Sequence, residues 1–217
     1  MLGTWTVRAV LQGLTAWVKN GTEPPRSARP TIGTLVAADQ VRFPPIPANN
    51  FGGMARPAVR YLGVHNPLHL QDYGEDYRTE DTSGIISVNP PKLSAARYGN
   101  LVAQVDPDGN DLGGIRNVFV EVPIGTYTGW NLFNRSFFED GFCTLQGSFI
   151  PFARTKAERL AAGDQRLSIE ERYPSKETYV AAVKNAADNL VASRYLLADD
   201  AARLVSEAER AGIRSAP

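Results

Sequence analysis

Proline and glycine are so dense between residues 21 and 100 that no long helix or long strand runs through that stretch. Proline removes a backbone donor and breaks a helix, and glycine costs more chain entropy to fix than any other residue. The short apolar runs GTLV (33–36), RPAVRYLGV (56–64) and GIISV (84–88) punctuate it. Each predicts a short strand between long ordered loops. Residues 101–122 are more regular. Leu101, Ala103 and Val105 alternate, DPDGN (106–110) makes a turn, and Val118, Val120 and Val122 alternate again. That pattern predicts a hairpin or two successive strands.

Helical patterns flank this region. In residues 4–19, Trp5, Val7, Val10, Leu11, Leu14, Trp17 and Val18 recur mostly at three- and four-residue steps, which makes one broad apolar face. Thr4 can cap the start, and Asn20-Gly21 followed by Pro24-Pro25 ends it. A face that begins at residue 5 needs something to pack on. In the last third, Thr155 and Glu158 form a T-x-x-E capping box closed by Gly163, and Ser168 with Glu171 repeats the signal. Ser175 then caps a long helix with Tyr179, Val180, Val183, Ala187, Leu190 and Val191 on one face. A final helix over about 199–211 turns Leu204, Val205 and Ala208 inward and stops at Gly212. The predicted fold class is α+β: one N-terminal helix, a loop-rich region with short strands and a β-hairpin, then a C-terminal helical cluster. The expected divisions are 1–21, 22–152 and 153–217, the last packed with the second as one unit.

The 217 residues suit one domain or one domain with an appendage. With 43% hydrophobic and 21% charged residues, a packed core is possible. Lys+Arg and Asp+Glu both count 23, and this balance argues against a nucleic-acid partner, which needs a basic excess. No run of 18 apolar residues is present to span a membrane. The first residues carry no basic segment and no A-x-A site, so no secretory signal is expected and the default compartment is cytoplasmic. The single cysteine, Cys143, cannot form an internal disulfide.

Candidate chemistry is sparse. A serine-hydrolase elbow needs G-x-S-x-G, because small residues permit the strained turn that exposes the serine. Ser148 comes nearest, with Gln146 and Ile150 where glycines belong. His65 and His69 are spaced as a zinc pair on a helix would be, but Pro67 between them disfavours that helix. The nearby acidic stretch Asp72, Glu75, Asp76, Glu80 and Asp81 reads as a solvated loop. DPDGND opens like a calcium loop, yet Asp111 stands where the glycine belongs and Asn117 where the glutamate belongs, so a tight turn is expected. Cys143 has no histidine nearby in the sequence and reads as a buried thiol. Arg154, Lys156, Arg159 and Arg166 could form an anion site, but Glu158 and Asp164 among them favour a salt-bridged surface. No metal site and no cofactor are expected.

The remaining candidate is Gly125, Thr126, Tyr127, Thr128, Gly129, Trp130 and Asn131. The glycines allow close backbone approach, and the aromatic residues offer large apolar faces with polar handles, a mix that lines ligand pockets. The same residues also build a compact corner of a core, and aromatic clusters more often do that.

The ordered series GTEPPRSARP, GTLVAADQVRFPPIP, TSGIISVNPP, LVAQVDPDGNDLGGIR, VPIGTYTGWN, GSFIPFARTKAERLAAGDQRLSIEERYP and YLLADDAARLVSEA resembles the C-terminal region of one family. This is the bacterial alpha/beta hydrolase domain-containing family of unassigned function. The resemblance runs from about residue 5 to about residue 211, and full members look about two to three times longer than one domain of this size. It implies a Ser, Asp or Glu, His order of catalytic residues that ends before the helix beginning here at residue 4. No catalytic residue of the family then maps onto this chain. The chain is expected to be a C-terminal fragment of a serine hydrolase of ester-type bonds, inactive alone. The alternative is a stand-alone binding or structural module. Either way the expected partner is a hydrolase core, in the same protein or a separate chain, met through Trp5, Leu11, Leu14, Trp17 and Val18. The glycine–aromatic motif then either lines the parent's substrate pocket or packs the extension onto that core.

Overall fold

The computed structural model describes residues 4–61, 69–132, 143–144 and 146–213. Helix α1 spans Thr4–Asn20. The loop-rich region carries short antiparallel ribbons: β1 (Leu35–Ala37) with β4 (Leu101–Ala103), and β2 (His69–Asp72) with β3 (Lys92–Arg97). Two more follow, β5 (Gly125–Thr128) with β8 (Ser148–Pro151), and β6 (Asn131–Leu132) with β7 (Cys143–Thr144). Among the described residues no sheet is wider than two strands. The other helices are α2 (Val118–Glu121), α3 (Lys156–Ala162), α4 (Ile169–Arg172), α5 (Lys176–Ala192) and α6 (Ala198–Ala211). The mixed α+β class, with one N-terminal helix and helices at the C-terminal end, is as the sequence predicts.

The caps are where local chemistry puts them. The Thr155 and Ser168 hydroxyls accept from Glu158 N and Glu171 N, Ser175 accepts from Thr178 N, and Gly163 closes α3 in the left-handed region. Side-chain caps satisfy backbone donors that a helix start leaves free. The main apolar core lies where α5 and α6 meet α2. Val183, Ala186 and Ala187 face Ala201, Leu204 and Ala208, and Val118 and Val122 close the cluster.

Three local expectations differ from the structure. Residues 118–121 are helical, not a strand. The Asn117 side chain accepts from Phe119 N (3.0 Å) and Val120 N (3.2 Å), which nucleates a turn, and Val118 and Val122 then lie on one helix face, both buried. Strand β4 pairs instead with β1, some 65 residues upstream, where Val36 faces Val102. Residues 84–88 form no strand. Of RPAVRYLGV, Arg56 and Val59 make isolated bridges to Asn49 and Ile46, and residues 62–64 lie outside the described residues.

Candidate functional site

Strand β5 carries the first four residues of the glycine–aromatic motif and becomes more exposed along its length. Gly125 and Thr126 are buried, Tyr127 and Thr128 half-buried. Gly125 sits opposite Pro151. A Cβ there would lie 2.5 Å from the Phe149 ring and 2.6 Å from Ile150 O, so only glycine lets the strands meet.

Thr126 lies within a buried polar network. Its hydroxyl donates to Asp108 O and accepts from Arg166 Nη1 at 2.9 Å. Arg166 is almost fully buried, and its guanidinium fork is saturated. Nε and Nη2 donate to the Asp164 carboxylate, with Nη2 to Oδ2 at 2.6 Å. Nη1 also reaches Ile150 O (3.1 Å), and Nη2 reaches Pro151 O (3.3 Å). Five N–H donors with carboxylate, hydroxyl and carbonyl acceptors leave nothing to hold a ligand anion. Arg172 pairs with Asp108 and lies over the Phe152 ring, its Cζ 4.2 Å from the centroid. Burial raises the Asp108 carboxyl above the ordinary range, and the Arg172 charge offsets only part of that. Asn110, fully buried, locks the turn to the strand: Nδ2 donates to Gly125 O (3.3 Å), and Oδ1 accepts from Tyr127 N (2.8 Å).

On the other face, the Tyr127 ring lies beside its register partner Phe149, centroids 5.0 Å apart. The Tyr127 hydroxyl is buried without a hydrogen-bond partner among the described residues. Burial drives its ionisation upward, with smaller contributions from the Tyr179 and Tyr173 phenols. Tyr173 stands edge-on to Tyr179 at 5.1 Å and donates its hydroxyl to Pro123 O at 2.9 Å. Further along, Gly129 and Asn131 are exposed and Trp130 is half-buried. Trp130 packs with Phe43 (5.4 Å) and Tyr61 (6.0 Å) in an aromatic triangle. The motif therefore has a buried half tied into a polar lock and an accessible half of aromatic surface.

The other candidates lie apart from it or find partners. Ser148 is the exception in place: its Oγ is 2.6 Å from Thr128 Oγ1, with no histidine contact among the described residues. His65 lies outside the described residues, and His69 Nδ1 is 2.8 Å from Ser94 O. Among the described residues no group of three or more His, Cys, Asp or Glu side chains could hold a metal ion. Cys143 lies in β7, paired with Leu132. Arg159 pairs with Glu171 (2.7 Å), and this contact, with the Ser168 backbone, holds the Glu171 carboxyl down to about 2. The salt-bridged surface expected for the basic cluster thus holds for Arg159 but not for Arg166, which is interior. The sequence carried one signal for that burial, the D-x-R spacing of Asp164 and Arg166 ahead of a capped helix, and composition favoured the surface. Asp108, Asn110 and Arg172 were missed as partners because their contacts cross long sequence separations.

A family model described as "Alpha/beta hydrolase domain" matches residues 3–206. No curated protein and no solved structure matches the chain. No described helix is long and apolar enough to cross a membrane. With the match covering most of its length, the chain belongs to the alpha/beta hydrolase domain family.

Proposed function

We propose that this chain is the non-catalytic C-terminal part of an alpha/beta-hydrolase-like protein acting on ester-type bonds. Residues outside it supply the nucleophile, the catalytic histidine and the oxyanion donors. The observation that carries the reading is the outward face of α1: Val7, Val10, Leu11, Leu14, Trp17 and Val18 are all exposed. Side chains of that size in one patch mark an interface. A hydrolase core, in the same protein or as a separate chain, is the occupant. Trp5 packs against the C-terminal core cluster, so the face is carried by the other residues. Two further observations support the reading. No serine stands in a G-x-S-x-G frame. The strongest polar constellation, around Arg166, is saturated internally and has no open position for a substrate.

Residues 1–21 then act as the last helix of the core, 22–152 as the extension, and 153–217 as its helical support. The motif Gly125–Asn131 packs the extension, with Trp130 at its accessible end. The chemistry of the whole protein is nucleophilic attack by serine and an acyl-enzyme. A fluorophosphonate probe and p-nitrophenyl esters test this. The chain alone is expected to remain unlabelled and to turn over no ester, while a longer protein containing these residues labels at a serine outside them. Labelling of a serine within this chain, lost when that serine becomes alanine, would sink the reading.

A further inference from the structure

Helix α1 is mounted with Trp5 and three small residues inward and most of its large apolar residues outward. Trp5, Ala9, Gly13 and Ala16, at steps of four, four and three, form the inner stripe. Ala9 is buried, Trp5 packs on the C-terminal core, a Cβ on Gly13 would be 3.5 Å from Pro25 Cδ, and Ala16 is half-buried. Val7, Leu11, Leu14 and Val18, at steps of four, three and four, are 64%, 61%, 47% and 77% exposed. The hydrophobic effect alone favours the opposite rotation, which would remove the larger side chains from water. Some specific contact must hold the helix as it is.

One contact has the needed properties. Arg8 Nη1 lies 2.5 Å from Asp200 Oδ1, joining α1 to the first turn of α6 across 192 residues. The Asp200 side chain is 0% exposed, and its second oxygen is buried with no partner among the described residues. A buried carboxylate left without its counter-charge is costly, and the start of α6 offsets only part of that cost. If α1 rolled to bury its large stripe, Arg8 would swing away and Asp200 would be stranded. Arg8 itself is 47% exposed, so the penalty falls on the aspartate. We infer that the Arg8–Asp200 ion pair is a rotational lock, which fixes the register of α1 on α6 and turns its large apolar stripe outward. Buried ionic groups can set register at some expense of stability. The strap after α1 is tied separately, with Arg194 Nη1 donating to Glu23 O at 2.6 Å. The lock concerns how the helix is mounted, and it stands whether or not a hydrolase core covers the outer face.

The test uses the full chain with Trp17→Phe and Trp130→Phe, which leaves Trp5 as the one indole. Acrylamide quenching then reports the inner stripe. Trp5 is expected to be protected, and Arg8→Met or Asp200→Leu to raise its quenching constant severalfold, with far-UV circular dichroism of the C-terminal helices retained. Arg8→Lys, which keeps the charge, is expected to restore most of the protection. Unchanged Trp5 protection in either uncharged variant would overturn the lock. Should Asp200→Leu unfold α6, Arg8→Met decides, read where the far-UV signal is retained, because it changes no α6 side chain.

Discussion

Arg166 illustrates what a single residue does here. It is a cation inside the molecule, and its fork ties Asp164 to β5 and β8 at once. Replacing it with methionine leaves Asp164 as a buried, unpaired carboxylate. The expected loss is ~3–5 kcal/mol, read as a lower urea midpoint. The double variant Arg166→Met with Asp164→Leu should recover much of that loss, because neither buried charge remains. Gly125 makes a second test. Gly125→Ala forces a methyl onto the Phe149 ring and the Ile150 carbonyl, and a drop of about 1–3 kcal/mol is expected. Gly129→Ala in the same motif meets nothing within 4 Å and should leave the melting temperature nearly unchanged. Glycine at the first position follows from strand approach, and the second glycine has no such constraint.

At the scale of elements, the C-terminal helices were legible because their signals are local. Thr155, Ser168 and Ser175 bond to backbone groups within three residues, so the sequence contains both partners. Ser175→Ala should cost α5 about 1 kcal/mol, measurable by thermal unfolding. The α4 cap adds a pH dependence. Arg159 and the Ser168 backbone hold Glu171 at about 2 in the folded chain, against an ordinary 4.5. A depressed carboxyl stabilises the fold above its unfolded value. That contribution is therefore complete above about 4.5 and is lost as pH falls towards about 2. Glu171→Gln should flatten this part of the acid limb in a pH series of urea midpoints. The 118–122 stretch was misleading for an equally local reason. Alternating valines fit a strand, but positions 118 and 122 also share a helix face, and Asn117 tips the balance by capping.

For the whole molecule, the distribution of apolar surface is the main feature. The core between α5 and α6 is built on alanines with Val183 and Leu204, closed by Val118, Val122 and Leu196, while most large residues of α1 face water. Leu14→Lys and Trp17→Lys should therefore change the unfolding midpoint by less than ~0.5 kcal/mol, because both side chains are already exposed. The same substitutions should lower the binding of an apolar dye such as ANS and reduce association at high concentration. A large loss of stability instead would mean that the outer stripe is packed in solution.

The amino-acid sequence by itself determined the C-terminal helices, the Thr155, Ser168 and Ser175 caps, the DPDGN turn and the family, since each rests on residues close together in the chain. It also determined the absence of a G-x-S-x-G elbow. Tertiary structure decided the rest. Arg166 became interior because Asp164, Thr126 and two carbonyls converge on it from three segments. Trp5 and Trp17, alike on one apolar face in the sequence, went to opposite environments because Arg8 meets a buried aspartate 192 residues away. Periodicity reports which residues share a helix face, but which face turns inward depends on contacts that only the folded chain brings together.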